Sequence, residues 1–60
     1  MYIFYFYADE ENKDSKLYYS VEVAYTWTSV RDNAYKFETF MDAADEIREN
    51  EYVDCIIELV

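Results

Sequence analysis

The sequence predicts an α+β fold, a small antiparallel sheet in the order β-β-(β)-α-β with one helix packed on one face. Three observations predict it. Residues Tyr2 to Ala8 are almost wholly aromatic and β-branched, residues from Leu17 onward alternate with a period of two, and an apolar recurrence at three and four residues precedes a second alternating segment at Tyr52 to Val60.

The first strand is apolar on both sides, with Tyr2, Phe4 and Phe6 on one face and Ile3, Tyr5 and Tyr7 on the other. It runs into the polar connection Asp9, Glu10, Glu11, Asn12, Lys13, Asp14, Ser15. That connection has no glycine, so Asn12 or Asp14 is expected to take any left-handed backbone position. Leu17, Tyr19, Val21, Val23, Tyr25 and Trp27 then share one face of a long, half-buried strand, opposite Tyr18, Ser20, Glu22, Ala24, Thr26 and Thr28. These two segments pair as a hairpin.

The stretch from Ser29 to Asn50 has two readings. Val30, Ala34, Phe37, Met41, Ala44 and Ile47 could form the stripe of one long helix. Alternatively, Ala34 to Glu38 forms a short third strand, and Thr39 caps a helix from Phe40 to about Asn50 with Asp42 at its third position. The second reading is preferred. It buries Phe40, Met41, Ala44 and Ile47 and leaves Asp42, Asp45, Glu46 and Glu49 in water. The last strand turns Val53, Cys55, Ile57 and Leu59 inward and Asp54 and Glu58 outward, and it returns beside the first strand.

Sixty residues make one domain, and a chain this short buries only about 60% of its unfolded surface, so its core leaves little margin. A single helix covers one face of the first strand. The other face, enlarged by Tyr18 and Ile56, is expected to be covered by a second copy or an aromatic-rich partner, which predicts a homodimer through sheet faces or edges.

Five Lys and Arg against 14 Asp and Glu give a formal net charge of -9, which repels phosphate backbones and anionic lipid. Direct nucleic-acid or membrane binding is therefore not expected. The hydrophobic fraction of 53% sets the chain apart from a disordered acidic tail. The N-terminal apolar run is too short to span a bilayer and lacks a basic lead-in, and the single Cys cannot close an intrachain disulfide, so a cytoplasmic location is expected.

Catalytic chemistry finds little support. There is no His to act as base or metal ligand, no Gly for a phosphate-cradling loop, and Cys55 in an apolar strand reads as a small buried hydrophobe. The Asp9 to Asp14 run lacks the glycine and distal glutamate of a helix-loop-helix calcium site. Neither an enzyme nor a cofactor or metal is expected. The candidate partner-binding residues are Asp42, Asp45, Glu46 and Glu49 on an acidic helix face, extended by Glu51 and the Asp9 to Asp14 loop, and Tyr5, Tyr7 and Tyr18 on an apolar one. Such carboxylates could mimic duplex phosphates in a basic groove; the plainer account is a solvated face.

Trp27 and Thr28, followed by Ala34, Phe37, Phe40 and Ala43 or Ala44, resemble a pattern in very small phage and prophage proteins. There a hairpin ends in tryptophan-threonine, an alanine-x-x-phenylalanine strand follows, and a short helix comes next. The likeness covers roughly the middle third of the chain, which departs from the pattern in having no glycine in its turns. Many such acidic proteins inhibit host defence, so the resemblance implies a stoichiometric blocker; the acidic charge makes a nucleic-acid-handling defence enzyme of the host the expected target. The different-class alternative is an assembly protein that adds a strand or a face to a larger complex.

Overall fold

The computed structural model describes residues 1–21 and 26–60. The strands are β1 (Tyr2–Tyr7), β2 (Lys16–Tyr19), β3 (Trp27–Thr28) and β4 (Ile56–Leu59); a 3-10 turn spans Arg31–Asn33 and the helix α1 spans Phe40–Glu49. They build one antiparallel sheet of order β3-β2-β1-β4, with α1 packed on one side.

The long second strand is corrected to a hairpin. β2 stops at Tyr19, the Ser20 amide donates to the Thr26 carbonyl (2.8 Å), and β3 returns with Trp27 opposite Tyr19 and Thr28 opposite Tyr18. Val23 and Tyr25, expected on the inward face of that strand, lie outside the described residues together with Glu22 and Ala24.

The β1–β2 connection closes on its own side chains. Asp9 Oδ1 accepts from the Glu11 amide and Asn12 Oδ1 from the Asp14 amide, and the Ala8 amide donates to the Ser15 carbonyl. These Asx turns need no left-handed residue, so the expectation for Asn12 or Asp14 is corrected. Among the described residues, positive φ falls at Glu51 (58°) and Asp54 (57°).

The helix is interrupted as preferred. Thr39 is the N-cap, its Oγ1 accepting from the Asp42 amide at 3.1 Å. Upstream, the expected third strand over Ala34 to Glu38 contracts to one bridge, in which Tyr2 and Phe37 exchange both backbone hydrogen bonds (2.8 and 2.7 Å). The buried helix face also differs from the expected one. Phe40 and Met41 are exposed, while Ala43 is fully buried and Ile47 packs beside it. Phe37, fixed to Tyr2, fills the space beside Phe4, and a small alanine then lets the helix backbone approach the aromatic core closely.

At its C-terminus α1 forms a Schellman motif, with Glu51 N–H donating to the Arg48 carbonyl (3.2 Å) and Tyr52 N–H to the Ile47 carbonyl (3.0 Å). Glycine normally holds the left-handed position of that motif, and here Glu51 holds it. Glu51→Gly is therefore expected to raise stability by about 0.5–1 kcal/mol, the relief of strain being partly offset by extra freedom in the unfolded chain. Thermal unfolding by circular dichroism checks this; a lower melting temperature would show that the glutamate side chain contributes more than its backbone position costs.

Two clusters flank the sheet. On the helix side Phe4, Tyr19, Phe37 and Ala43 are buried, joined by Trp27, Tyr52 and Ile57. On the other side Ile3, Tyr5, Tyr18 and Ala34 are buried as well. Ile3, Tyr5 and Tyr18 on this face are thus covered by the chain itself, whereas Ile56, expected to enlarge it, is 42% exposed. The segment through Arg31–Asn33 crosses this face, Ala34 packs into it, and Arg31 reaches over to pair with Glu58 on β4. The Lys16 ammonium lies 4.8 Å from the centre of the Tyr5 ring. Of the residues expected inward on the last strand, Ile57 and Cys55 join the helix-side cluster, whereas Val53 and Leu59 are exposed.

Candidate functional site

Positions 42, 45, 46 and 49 recur at three and four residues, so the helix places their carboxylates along one face. Their environments differ. Asp42 and Glu49 are exposed, Asp45 pairs with Arg48 one turn on, and Glu46 is held at the edge of the core. There Glu46 Oε2 accepts from the Tyr19 hydroxyl (2.7 Å) and from Asn50 Nδ2 (2.9 Å). Among the described residues, Asp42 and Glu49 are therefore the carboxylates of this face outside any ion pair or side-chain hydrogen bond, and Glu46 is already committed to the fold.

The apolar candidates are not brought together on the surface. Tyr5 is 7% and Tyr18 6% exposed, so both belong to the core and their expected role as a docking patch is corrected. Burial, the dominant cause, pushes the Tyr5 hydroxyl above its ordinary pKa. Tyr7 alone is half-buried, with the Lys13 ammonium 4.9 Å above its ring.

Tyr7 also borders a feature that sequence reasoning missed. A cleft of about 380 Å³ opens at the end of the sheet, between the last residues of β1, Trp27 of β3 and the α1–β4 connection. Its half-buried rings are Phe6, Trp27 and Tyr52, with Tyr7 at the rim; Trp27 makes T-shaped contacts with Phe6 and Tyr52 at centroid distances of 4.8 and 5.0 Å. Its exposed members include Glu10, Glu51 and Asp54. The two left-handed residues thus bracket Tyr52 and Val53 and aim that pair at the cleft. The sequence signal was the acid-aromatic-aliphatic-acid run from Glu51 to Asp54, which periodicity assigns to a strand.

Cys55 lines the same cleft, half-buried. Burial first, and the neighbouring Asp54 second, raise its thiol pKa, the opposite of what an activated nucleophile requires. Among the described residues no group of three His, Cys, Asp or Glu side chains is placed to hold a metal, and no helix is long and apolar enough to cross a membrane. No family model, curated protein or solved structure matches the chain.

Proposed function

We propose that this chain is a non-catalytic binding protein that docks its acidic helix face into a basic groove of a nucleic-acid-handling protein and blocks it. The observation that carries the reading is the distribution of charge. Among the described residues two ion pairs form, Arg31 with Glu58 and Arg48 with Asp45, and the exposed carboxylates of Asp42, Glu49 and Glu51 stand outside them on a chain of net charge -9. A rigid helix displaying unpaired carboxylates speeds encounter with a basic surface and excludes duplex phosphates from it. The resemblance to phage anti-defence proteins points to a host defence enzyme as the class of target.

The test is capture from a bacterial lysate on the tagged protein, washed at low and then high salt, beside the Asp42→Lys/Glu49→Lys double variant. A nucleic-acid-handling protein is expected to be retained at low salt, released by high salt or added duplex DNA, and bound more than about tenfold more weakly by the variant. Retention of the partner through high salt and through both charge reversals would overturn the reading.

One observation favours an assembly role instead. β4 is an edge strand, and Met1 and Val60 exchange both backbone bonds at its end (3.0 and 2.7 Å). Antiparallel alternation then points the backbone groups of Ile57 and Leu59 away from β1, where an added strand would meet them. A homodimer through β4 would persist at high salt in light scattering and dissociate on Leu59→Pro, since proline at that position removes an outward amide.

A further inference from the structure

We infer that the aromatic cleft at the end of the sheet takes an arginine side chain of the bound protein. The inference rests on the proposed function only in making the partner a basic protein. The cleft joins two kinds of group that together recognise a guanidinium: ring faces on which a planar cation stacks, and carboxylates that accept its fork of N–H donors. Phe6, Trp27 and Tyr52 supply the rings, and Glu10, Glu51 and Asp54 supply the charge.

The chain's own cations reach only the Tyr7 rim of the cleft, where Lys13 lies over that ring. Of its five basic residues, Lys13 and Lys16 lie over Tyr7 and Tyr5, while Arg31 and Arg48 are in ion pairs. Lys36 is exposed and lines a different hollow, beside Glu38 and Asp42. Among the described residues no cation sits over Phe6, Trp27 or Tyr52, and no ion pair engages Glu10, Glu51 or Asp54. The Tyr7 ring at the rim of the cleft and the Tyr5 ring beyond it, by contrast, already carry lysine ammonium groups. The cleft therefore presents an aromatic, acidic site whose complementary charge must come from another molecule. Its volume of about 380 Å³ accommodates one long side chain.

Trp27 is the one tryptophan, so its fluorescence reports occupancy directly. The probe is a capped glycyl-arginyl-glycine peptide titrated into the full chain, beside its citrulline and lysine counterparts. Citrulline keeps the shape of arginine and removes the charge. The expected result is a saturable change with the arginine peptide, at least about tenfold weaker with citrulline and with the Glu51→Gln/Asp54→Asn variant, whose residues tolerate the same backbone positions. No saturable change, or an equal response to citrulline, would overturn the proposal. An equal response to lysine would overturn the choice of arginine. Because the citrulline comparison uses the unaltered chain, the result stands even if the variant fails to fold. The helix-face reading is tested separately by the Asp42 and Glu49 reversals, so either idea can fail while the other holds.

Discussion

Phe4→Ala is expected to abolish most of the cooperative fold. Phe4 is 0% exposed and sits at the centre of the helix-side cluster, stacked on Tyr19 at 4.7 Å and on Phe37 at 5.7 Å, with Trp27 in a T-shaped contact at 6.0 Å. Truncating a fully buried phenylalanine costs about 3–5 kcal/mol, the lost transfer energy plus the cavity left behind. Domains have about 0.05–0.15 kcal/mol of stability per residue, or about 3–9 kcal/mol for sixty residues. The loss is thus comparable to the whole margin. The surrounding rings cannot simply close the gap, because Phe37 is pinned to Tyr2 by two backbone bonds and the Tyr19 hydroxyl is tied to Glu46. Leu59→Ala, at a residue 68% exposed, should cost less than about 0.5 kcal/mol and serves as the control. Urea unfolding followed by circular dichroism and Trp27 fluorescence measures both. A loss below about 1 kcal/mol for Phe4→Ala would show that the rings do repack.

The elements read from local chemistry were legible, and those set by long-range contact were not. The density of aromatic and β-branched residues announced β1, and Thr39 with Asp42 announced the start of α1, because each signal lies within a few residues of the structure it specifies. The break between β2 and β3 left no trace for a specific reason. Tyr19 pairs with Trp27, both odd-numbered, so every odd residue on either arm lies on one face, just as in one uninterrupted strand. With neither Gly nor Pro in the chain, nothing else separated the two arms. The covering of the second sheet face was equally hidden, since it depends on Arg31 meeting Glu58 across 27 positions. That covering is what removed Tyr5 and Tyr18 from the surface. The cleft could not be foreseen either, because Phe6, Trp27 and Tyr52 belong to three separate segments that meet only in the folded chain.

Tyr19 should make the protein selectively sensitive to alkali. Its hydroxyl donates to Glu46 Oε2, tying β2 to α1, and its pKa is raised well above the ordinary 10.0, first by burial and then by that bond to a carboxylate. The fold therefore holds the neutral form. In the unfolded chain the same group ionises near its ordinary value, so the stabilising contribution is complete below about pH 10 and is lost as pH rises toward the folded value. Tyr5, also raised chiefly by burial, adds to the same trend. The unfolding free energy from urea titrations is expected to show no tyrosine-linked fall from neutrality to about pH 9, then a decline of up to about 1.4 kcal/mol per pH unit for each tyrosine involved. Tyr19→Phe should cost about 1–2 kcal/mol at neutral pH, through loss of a hydrogen bond to a charged acceptor, and should also flatten the alkaline decline. An unchanged alkaline slope in that variant would assign the sensitivity to another group. The same substitution bears on function, because it leaves Asn50 as the remaining side chain holding Glu46. A carboxylate released from the core edge in this way would join Asp42 and Glu49 on the acidic face, so Tyr19→Phe should weaken the fold while preserving or strengthening capture of a basic partner.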